Sequence, residues 1–274
     1  LFRSGLVRDL TESKDEAQKV NQRLEALRDR NLIFHRERSS IAGNEEYLFK
    51  HALLRDAAYE SVLLKHRRNY HQQVAKWIEE NAGDRLEEHL AMIAYHTMVG
   101  GKGDLAADWY CRAGERALTQ CSMQEAKSLF EKALELISYQ DGKRLWRATL
   151  GHDEAVGTLG ELDARHADDT KLLEIAKQLE DDKMLAEAHY RVGSQANSEG
   201  NHQVAMRAFD QALDIVSRNK DLTIQALVLP LKISLLTSEG KLKEAGALVD
   251  NGLDLARKTE DADILARALN NIAP

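Results

Sequence analysis

The chain has 274 residues, of which 43% are hydrophobic and 30% are charged, and its formal net charge is −7. This composition provides enough apolar residues for a buried core, while two prolines are too few for a fold rich in turns. No apolar run approaches the length that crosses a bilayer, and the N-terminus lacks the pattern of a signal peptide. A cytoplasmic protein without membrane contact is therefore predicted.

Neither the cysteines nor the histidines form a recognisable metal site. Cys111 and Cys121 belong to no CxxC pair, so we expect reduced, buried thiols. His89 and His96 share a helical face, but no HExxH motif or His/Cys group accompanies them. The sequence therefore predicts no bound metal and no cofactor.

Residues 1–66 are predicted to be the C-terminal part of a winged-helix domain. The segment KVNQRLEALRDRNLI, from Lys19, places its apolar residues on one helical face. The following LIFHRER has the β-branched and aromatic content of a strand, and YLF at Tyr47 can return as its antiparallel partner. A helix followed by a β-hairpin is the back half of a winged helix.

This front of the chain is mildly basic, and two interpretations of it stay open. Residues 1–75 carry 14 Lys and Arg against 11 Asp and Glu, whereas the remainder carries 24 against 34 and is a poor nucleic-acid binder. Acidic side chains are interspersed among the basic ones, which favours a protein contact over DNA. The side chains that could contact phosphates are Arg23, Arg28, Arg30, His35, Arg36 and Arg38.

A connecting helix pair is predicted for residues 67–100, and helical repeats for residues 101–274. Similar segments begin at Leu173, Leu213 and Leu253, a step of 40 residues, which indicates a repeated supersecondary unit. The second repeat is degenerate, because HADDT at 166–170 breaks the apolar period, and we expect a distorted or extended pair there. The predicted repeats are 104–140, 142–181, 183–218, 222–258 and, in part, 262–274.

Small residues recur in each repeat at the points where two packed helices would approach each other closely. Gly200 and Gly240 are placed to end helices in a left-handed conformation. The recurring positions are Gly114, Ala126 and Ala133; Gly193, Ala205 and Ala212; and Ile233, Ala245 and Gly252. The positions predicted to fill the groove between helices are Phe130, Phe209 and Val249.

This pattern resembles the tetratricopeptide repeat (TPR), most closely in AHYRVGSQANSEGNHQVAMRAFDQALDI at Ala186. It is weaker at 226–255, where Ile233 replaces a small residue and Pro230 falls inside the first helix. The resemblance implies antiparallel helix pairs in a right-handed α-solenoid, so the predicted fold is mainly α with a partial winged helix and a short β-hairpin in front.

In such arrays the first helix of each pair lines the concave surface, which is the usual binding surface. The residues whose positions would face a ligand there are Cys111, Glu115, Leu118, Tyr190, Ser194, Asn197, Ser234, Thr237 and Asn270. Their mixed character and modest charge favour a peptide or a protein surface as the partner.

A second resemblance covers about residues 24–136. The segments YLFKHALLRDAAYESVLLKHRRNYHQQVAKWIEE and HLAMIAYHTMVGGKGDLAADWYCRAGERAL are similar to the region that follows the ATPase module in bacterial STAND-type signalling ATPases. The similarity is greatest to multidomain proteins that join a class III adenylate/guanylate cyclase, an AAA-like ATPase, a winged helix and a TPR tail. It implies a regulatory or sensor module. Since the sequence opens at Leu1 without Met, we expect the chain to be a piece of a longer polypeptide.

The sequence itself contains no recognisable catalytic residues. VGGKGDL at 99–105 has a Gly-Lys pair but lacks the Ser or Thr and the upstream Gly of a P-loop. The predicted function is therefore non-catalytic binding of a protein or peptide, with the upstream ATPase domain of the same chain as one candidate. The alternative is the C-terminal half of a DNA-binding transcription regulator with a winged helix and a TPR-like tail.

Overall fold

We describe residues 2–11, 14–36, 45–219 and 222–272 of the chain in a computed structural model. The chain divides into two compact units, Leu1–Ser138 and Tyr139–Pro274. Within each unit most helices pack on their neighbours in sequence, and one small sheet lies in the first unit. The predicted mainly α fold, a TPR-like α-solenoid, is confirmed.

The first unit begins with a small antiparallel sheet and two helices. The strand order is β1-β3-β2, with Phe2 of β1 opposite Tyr47 of β3. The side chains of Val20, Leu24, Ile33 and Tyr47 form the core between helix and hairpin. The predicted helix followed by a hairpin is therefore present, and its assignment as a winged helix stays a prediction. The elements are β1 (Phe2–Arg3), α1 (Ser4–Asp9), α2 (Lys14–Asp29), β2 (Ile33–Arg36) and β3 (Glu46–Phe49).

Ion pairs engage several of the basic side chains that were candidates for phosphate contacts. The buried Arg3 donates through Nε to Glu46 Oε1 at 3.1 Å, and Arg36 Nη1 lies 3.6 Å from Oε2 of the same carboxylate. Arg23 pairs with Glu16 at 2.6 Å on α2. Arg38 lies outside the described residues. These contacts reduce the positive charge that the front could offer to a phosphate backbone.

The rest of the first unit consists of helices joined by short turns. Helix α6 packs between α5 and α7 and buries Trp109 and Tyr110. Helix α3, in contrast, buries none of its residues, and Leu53 on it is 84% exposed. The elements are α3 (Ala52–Glu60), α4 (Leu64–Asn81), a 3₁₀ helix (Gly83–His89), α5 (Leu90–Val99), α6 (Gly103–Thr119) and α7 (Met123–Leu136).

The second unit is a stack of helix hairpins. Each helix packs on the next, and α12 also contacts α10 and α14, so that first helices of successive pairs lie side by side. Gly200 and Gly240 adopt φ of 77° at the turns after α10 and α12, as predicted. The helices are α8 (Gly142–Leu159), α9 (Leu162–Leu179), α10 (Asp182–Ser198), α11 (His202–Asn219), α12 (Leu222–Ser238), α13 (Leu242–Lys258) and α14 (Ala262–Ile272).

The predicted close approaches between helices are present in two repeats. A Cβ built on Gly193 would lie 2.6 Å from the ring of Phe209, and one on Gly114 would lie 2.8 Å from the ring of Phe130. Both rings are fully buried. A glycine on one helix therefore makes the room that an aromatic ring on the other helix fills.

The repeat at 222–258 meets the same packing requirement with a different pair. Here Ile233 takes the glycine's position, and its Cδ1 lies 3.2 Å from where a Cβ on Gly252 would be. Val249, in the position of the aromatic ring, packs partly buried against the cluster that contains Ile233. The larger side chain has moved to the opposite helix, so Ile233 is a compensated substitution rather than a defect of the repeat.

Gly193→Ala is expected to lower the free energy of unfolding by about 1–3 kcal/mol, because the added methyl group overpacks a ring that cannot move into solvent. Gly246→Ala on α13 is the matched control, since nothing lies within 4 Å of its added Cβ. That variant should be neutral or more stable by roughly 0.5–1 kcal/mol, as the helix propensity of alanine requires. Urea unfolding followed by circular dichroism measures both, and equal changes would contradict the packing described.

The helix pair at 142–181, expected to be distorted or extended, is regular. Helices α8 and α9 are each 18 residues long, and α9 continues through HADDT without a break. The expectation was wrong because it treated two acidic residues as surface residues that interrupt the apolar face. Asp168 and Asp169 are in fact buried, so they occupy core positions.

Candidate functional site

An open groove in the second unit, which we call the polar groove, has a volume of about 550 Å³. Helices α8, α10 and α14, which contribute most of its wall, are first helices of their pairs. The groove therefore lies on the face that TPR-like arrays use for binding. Its lining residues are Asp153, Glu154, Gly157 and Thr158 from α8, Arg165 from α9, Tyr190, Arg191 and Ser194 from α10, and Arg267 from α14.

A fully buried carboxylate, that of Asp153, organises the wall of the groove. Arg191 donates through Nη1 to Asp153 Oδ2 at 2.5 Å, and Arg165 Nε lies 3.4 Å from Oδ1. Arg191 Nη2 also lies 3.5 Å from Glu187 Oε1. Burial alone would lower the pKa of Arg191, but Asp153 and Glu187 outweigh it and raise that pKa above its ordinary value. Three helices are thus tied together by one buried charge.

A second group of acids on α9 is buried near this ion cluster. His152 Nδ1 and Asp168 Oδ2 are 2.5 Å apart. Asp169 makes no hydrogen bond with a described residue, and its Oδ1 is buried. Burial, with the charge of Asp153 second, raises the pKa of Asp169 to about 7, against the opposing effect of Arg165 and Arg191. Asp169 therefore titrates near neutral pH.

Asp169→Asn should make stability less dependent on pH. In the folded chain the pKa of Asp169 is about 7, whereas its ordinary value is 3.8. Between these two pH values Asp169 is protonated in the folded chain and ionised in the unfolded chain. The free energy of unfolding of the parent protein therefore falls as the pH rises through that window. Above pH 7 we expect the free energy of unfolding of the variant to exceed that of the parent by on the order of 2 kcal/mol. This difference should disappear as the pH falls to 3.8.

Urea unfolding at several pH values measures this difference. Glu174→Gln is the control, because Glu174 is an exposed carboxylate on the same helix and should leave the pH profile of the parent unchanged. If Asp169→Asn raised the free energy of unfolding equally at acidic and alkaline pH, the titration assigned to Asp169 would be wrong.

Two of the predicted surface residues of the second unit line the polar groove. Tyr190 and Ser194 lie side by side on α10 in its wall. The other predicted residues of this unit lie outside that wall. Asn197 and Ser234 are partly buried, and Thr237 and Asn270 are exposed.

The predicted residues of the first unit lie on α6 and differ in exposure. Cys111 is buried, with 2% of its surface exposed, so its assignment to a ligand-facing position is corrected: α5 and α7 pack on both sides of α6. Glu115 lines a shallow cavity of about 420 Å³ beside Arg112 and Arg116. Leu118 is partly buried. Cys121, expected to be buried, is exposed at the turn after this helix.

Three histidine and tyrosine side chains of the first unit form a hydrogen-bonded chain. His71 Nδ1 and His96 Nδ1 are 2.8 Å apart, and His71 Nε2 lies 3.0 Å from the hydroxyl of Tyr59. Burial, followed by the charges of His71 and Arg3, lowers the pKa of His96 to about 4. The pair is therefore neutral at neutral pH. Among the described residues, no group of three or more His, Cys, Asp or Glu could hold a metal ion.

The charged residues of the polar groove were missed by the sequence analysis. Asp153, Arg165, Arg191 and Arg267 read as ordinary polar residues of helix surfaces. One signal could have identified Asp153: it falls on the buried face of α8 between apolar residues such as Ala148 and Val156. A charged residue at a core position of a helix requires a partner, and arginines on neighbouring helices are the obvious partners.

No protein-family model matches the chain. An uncharacterized protein of Rhizobium meliloti (strain 1021) is 27% identical over 99 residues, which are 36% of this chain and 10% of that protein. The chain thus matches only a tenth of the length of that curated relative.

Two solved structures illustrate the fold. The apo form of RapI has a TM-score of 0.61 at 13% identity, over 78% of this chain and 62% of RapI. A Rap protein complexed with competence and sporulation factor has a TM-score of 0.51 at 13% identity, over 96% of this chain and 77% of that one. At such identities the likeness shows the fold alone. None of the helices in the described ranges has the length and apolar character needed to span a membrane.

Proposed function

We propose that this chain is a non-catalytic regulatory module of a larger, cytoplasmic bacterial signalling ATPase or nucleotide cyclase, and that the polar groove is where it binds a protein or peptide. The observation that carries the proposal is the groove itself: an open, charged cavity on the inner helices of a TPR-like stack. Stacked helical repeats are extended binding scaffolds. One of the similar structures, the Rap protein, is itself in complex with a factor.

The exposed helix α3 supports the proposal that this chain is part of a larger signalling protein. Leu53 on α3, Leu63 in the following turn and Leu64 at the start of α4 are 84%, 70% and 58% exposed. Large apolar side chains with this exposure are available for contact with another domain. The segment that contains them is also the segment whose sequence is similar to the region after the ATPase module in STAND-type proteins. The length of the curated relative, of which the match covers a tenth, is consistent with such a setting.

The paired arginines at the front of the chain favour this proposal over DNA binding. Arg23 and Arg36 are held by Glu16 and Glu46, and a DNA-binding surface needs side chains that release counterions from phosphates. The alternative of a DNA-binding regulator therefore has no observation of its own in its favour.

Nucleotide turnover by the natural polypeptide that carries this sequence tests the proposal. We expect that polypeptide to hydrolyse or cyclise a nucleoside triphosphate. We also expect Arg267→Glu, a charge reversal in the polar groove, to change the rate several-fold. Arg207→Glu makes the same change at an exposed position on α11 and should leave the rate unaltered. A polypeptide without nucleotide turnover, or one that responds equally to both reversals, would contradict the proposal.

A further inference from the structure

The polar groove contains hydrogen-bond donors that no described residue occupies. Arg165 Nε lies 3.4 Å from Asp153 Oδ1, and neither of its Nη groups makes a hydrogen bond with a described residue. The guanidinium of Arg267 and the hydroxyls of Tyr190 and Ser194 likewise make no hydrogen bond with any residue that the structure describes. Because these groups line one groove, they can act on one ligand.

A glycine and a buried carboxylate fix the position of Arg165. A Cβ built on Gly157 would lie 3.2 Å from Cζ and Nε of Arg165, so its guanidinium rests directly on the backbone of α8. Asp153, one turn earlier on the same helix, places its Oδ1 3.4 Å from this Nε, an ion-pair distance without a hydrogen bond. The donor is therefore positioned before any ligand arrives, and a preorganised donor loses less conformational entropy on binding.

The charge of the groove wall matches a carboxylate. Two carboxylates, those of Asp153 and Glu154, face three guanidiniums, those of Arg165, Arg191 and Arg267. The lining residues thus carry a surplus of one positive charge, part of which Glu187, outside the lining, offsets at Arg191. The arginine donors have the fork geometry that recognises carboxylates. A phosphate ester, which carries close to two negative charges at neutral pH, would exceed this surplus.

The positions of the free arginines favour a peptide segment over a small anion. Arg165 is on α9, whereas Arg267 is on α14, which packs on α12 and α13. A ligand that contacts both must reach side chains from two helices of different pairs. An extended segment with more than one acidic side chain offers each arginine a carboxylate of its own.

We propose that the polar groove binds an acidic peptide segment, with Asp or Glu side chains of that segment held by Arg165 and Arg267 and with the hydroxyls of Tyr190 and Ser194 as further donors. This inference rests on the proposed function, because it names the chemical class of partner that the groove accepts.

Fluorescence anisotropy with two pools of short labelled peptides tests the inference on the 274-residue chain. The pools are identical and amidated at the C-terminus, except that one has Glu where the other has Gln at alternate positions. The Glu pool should bind at least about tenfold more tightly, and the difference should shrink as salt is added. Equal binding of the two pools, or no binding of either, overturns the inference.

Variants locate the binding. Arg267→Gln should weaken binding of the Glu pool about tenfold, because it removes one charge-assisted contact. Binding of the Gln pool should be unchanged. Gly157→Ala should have a similar effect, since its methyl group displaces the guanidinium of Arg165. Arg207→Gln removes the same charge from the exposed face of α11 and should change neither affinity. An equal loss in Arg267→Gln and Arg207→Gln would assign the effect to net charge and overturn the inference.

Two further pools decide the chemistry of the ligand. If phosphoserine in place of Glu binds more tightly through Arg267, the assignment to carboxylate side chains is wrong. If only peptides with a free C-terminus bind, the groove recognises a terminal carboxylate and the assignment to an internal segment is wrong. These results are separable from the proposed function, because nucleotide turnover that responds to Arg267→Glu does not depend on any of these peptides.

Discussion

Phe209→Ala is expected to lower the free energy of unfolding by about 3–5 kcal/mol. The ring is fully buried and belongs to a cluster that joins α10, α11 and α12, so its loss opens a cavity between two neighbouring repeats. Gly193 faces the ring and has no side chain that could fill the space. Urea unfolding followed by circular dichroism gives the value.

Asn197→Ala is the control for this substitution. Asn197 lies on α10, and its side chain makes no hydrogen bond with a described residue. Its replacement should change stability by less than about 0.5 kcal/mol. Equal effects of the two substitutions would show that the helices pack in a register other than the one described.

Asp153→Asn is expected to have a similarly large effect, about 3–5 kcal/mol, although it removes no volume. The substitution takes away the charge that Arg191 and Arg165 share, and the side chains of these arginines are only 19% and 23% exposed. Each guanidinium would then be largely withdrawn from water without its main counter-charge. The same unfolding experiment measures the effect.

Two companion variants separate charge from other causes. Glu154→Gln neutralises the neighbouring, exposed carboxylate and should change stability by no more than about 0.5 kcal/mol. Arg191→Met in the Asp153→Asn background should recover part of the lost stability, because it removes a buried charge that has lost its partner. If the double variant were less stable than Asp153→Asn alone, the charge-based account of the cluster would fail.

The repeat architecture was predictable because it produces a regular spacing of residues along the sequence. The step of 40 residues and the glycines opposite Phe130 and Phe209 reflect contacts between helices that are adjacent in sequence. The exchange between Ile233 and Gly252 was harder to recognise. The two side chains together keep about the same volume at the contact, but neither position keeps the residue type found in the other repeats. A search for small residues at fixed positions therefore finds a mismatch there.

The polar groove was only partly predictable, since its formation depends on residues far apart in sequence. Tyr190 and Ser194 follow from the geometry of the repeat, because they occupy outward positions on a first helix. The ion cluster links Asp153 to Arg191, and the sequence gives no reason to pair these two residues in particular. The same limit applies at the N-terminus, where Phe2 pairs with Tyr47 across a long stretch of chain.

The central claim is that the polar groove is the ligand-binding surface of this protein, and side-chain NMR of its arginines tests that claim most directly. The Nε–Hε signals of Arg165, Arg267 and Arg207 can be assigned by substituting each arginine with lysine. Titration with the Glu peptide pool should shift the signals of Arg165 and Arg267 and leave that of Arg207 in place. Unchanged Arg165 and Arg267 signals at saturating peptide would contradict the claim.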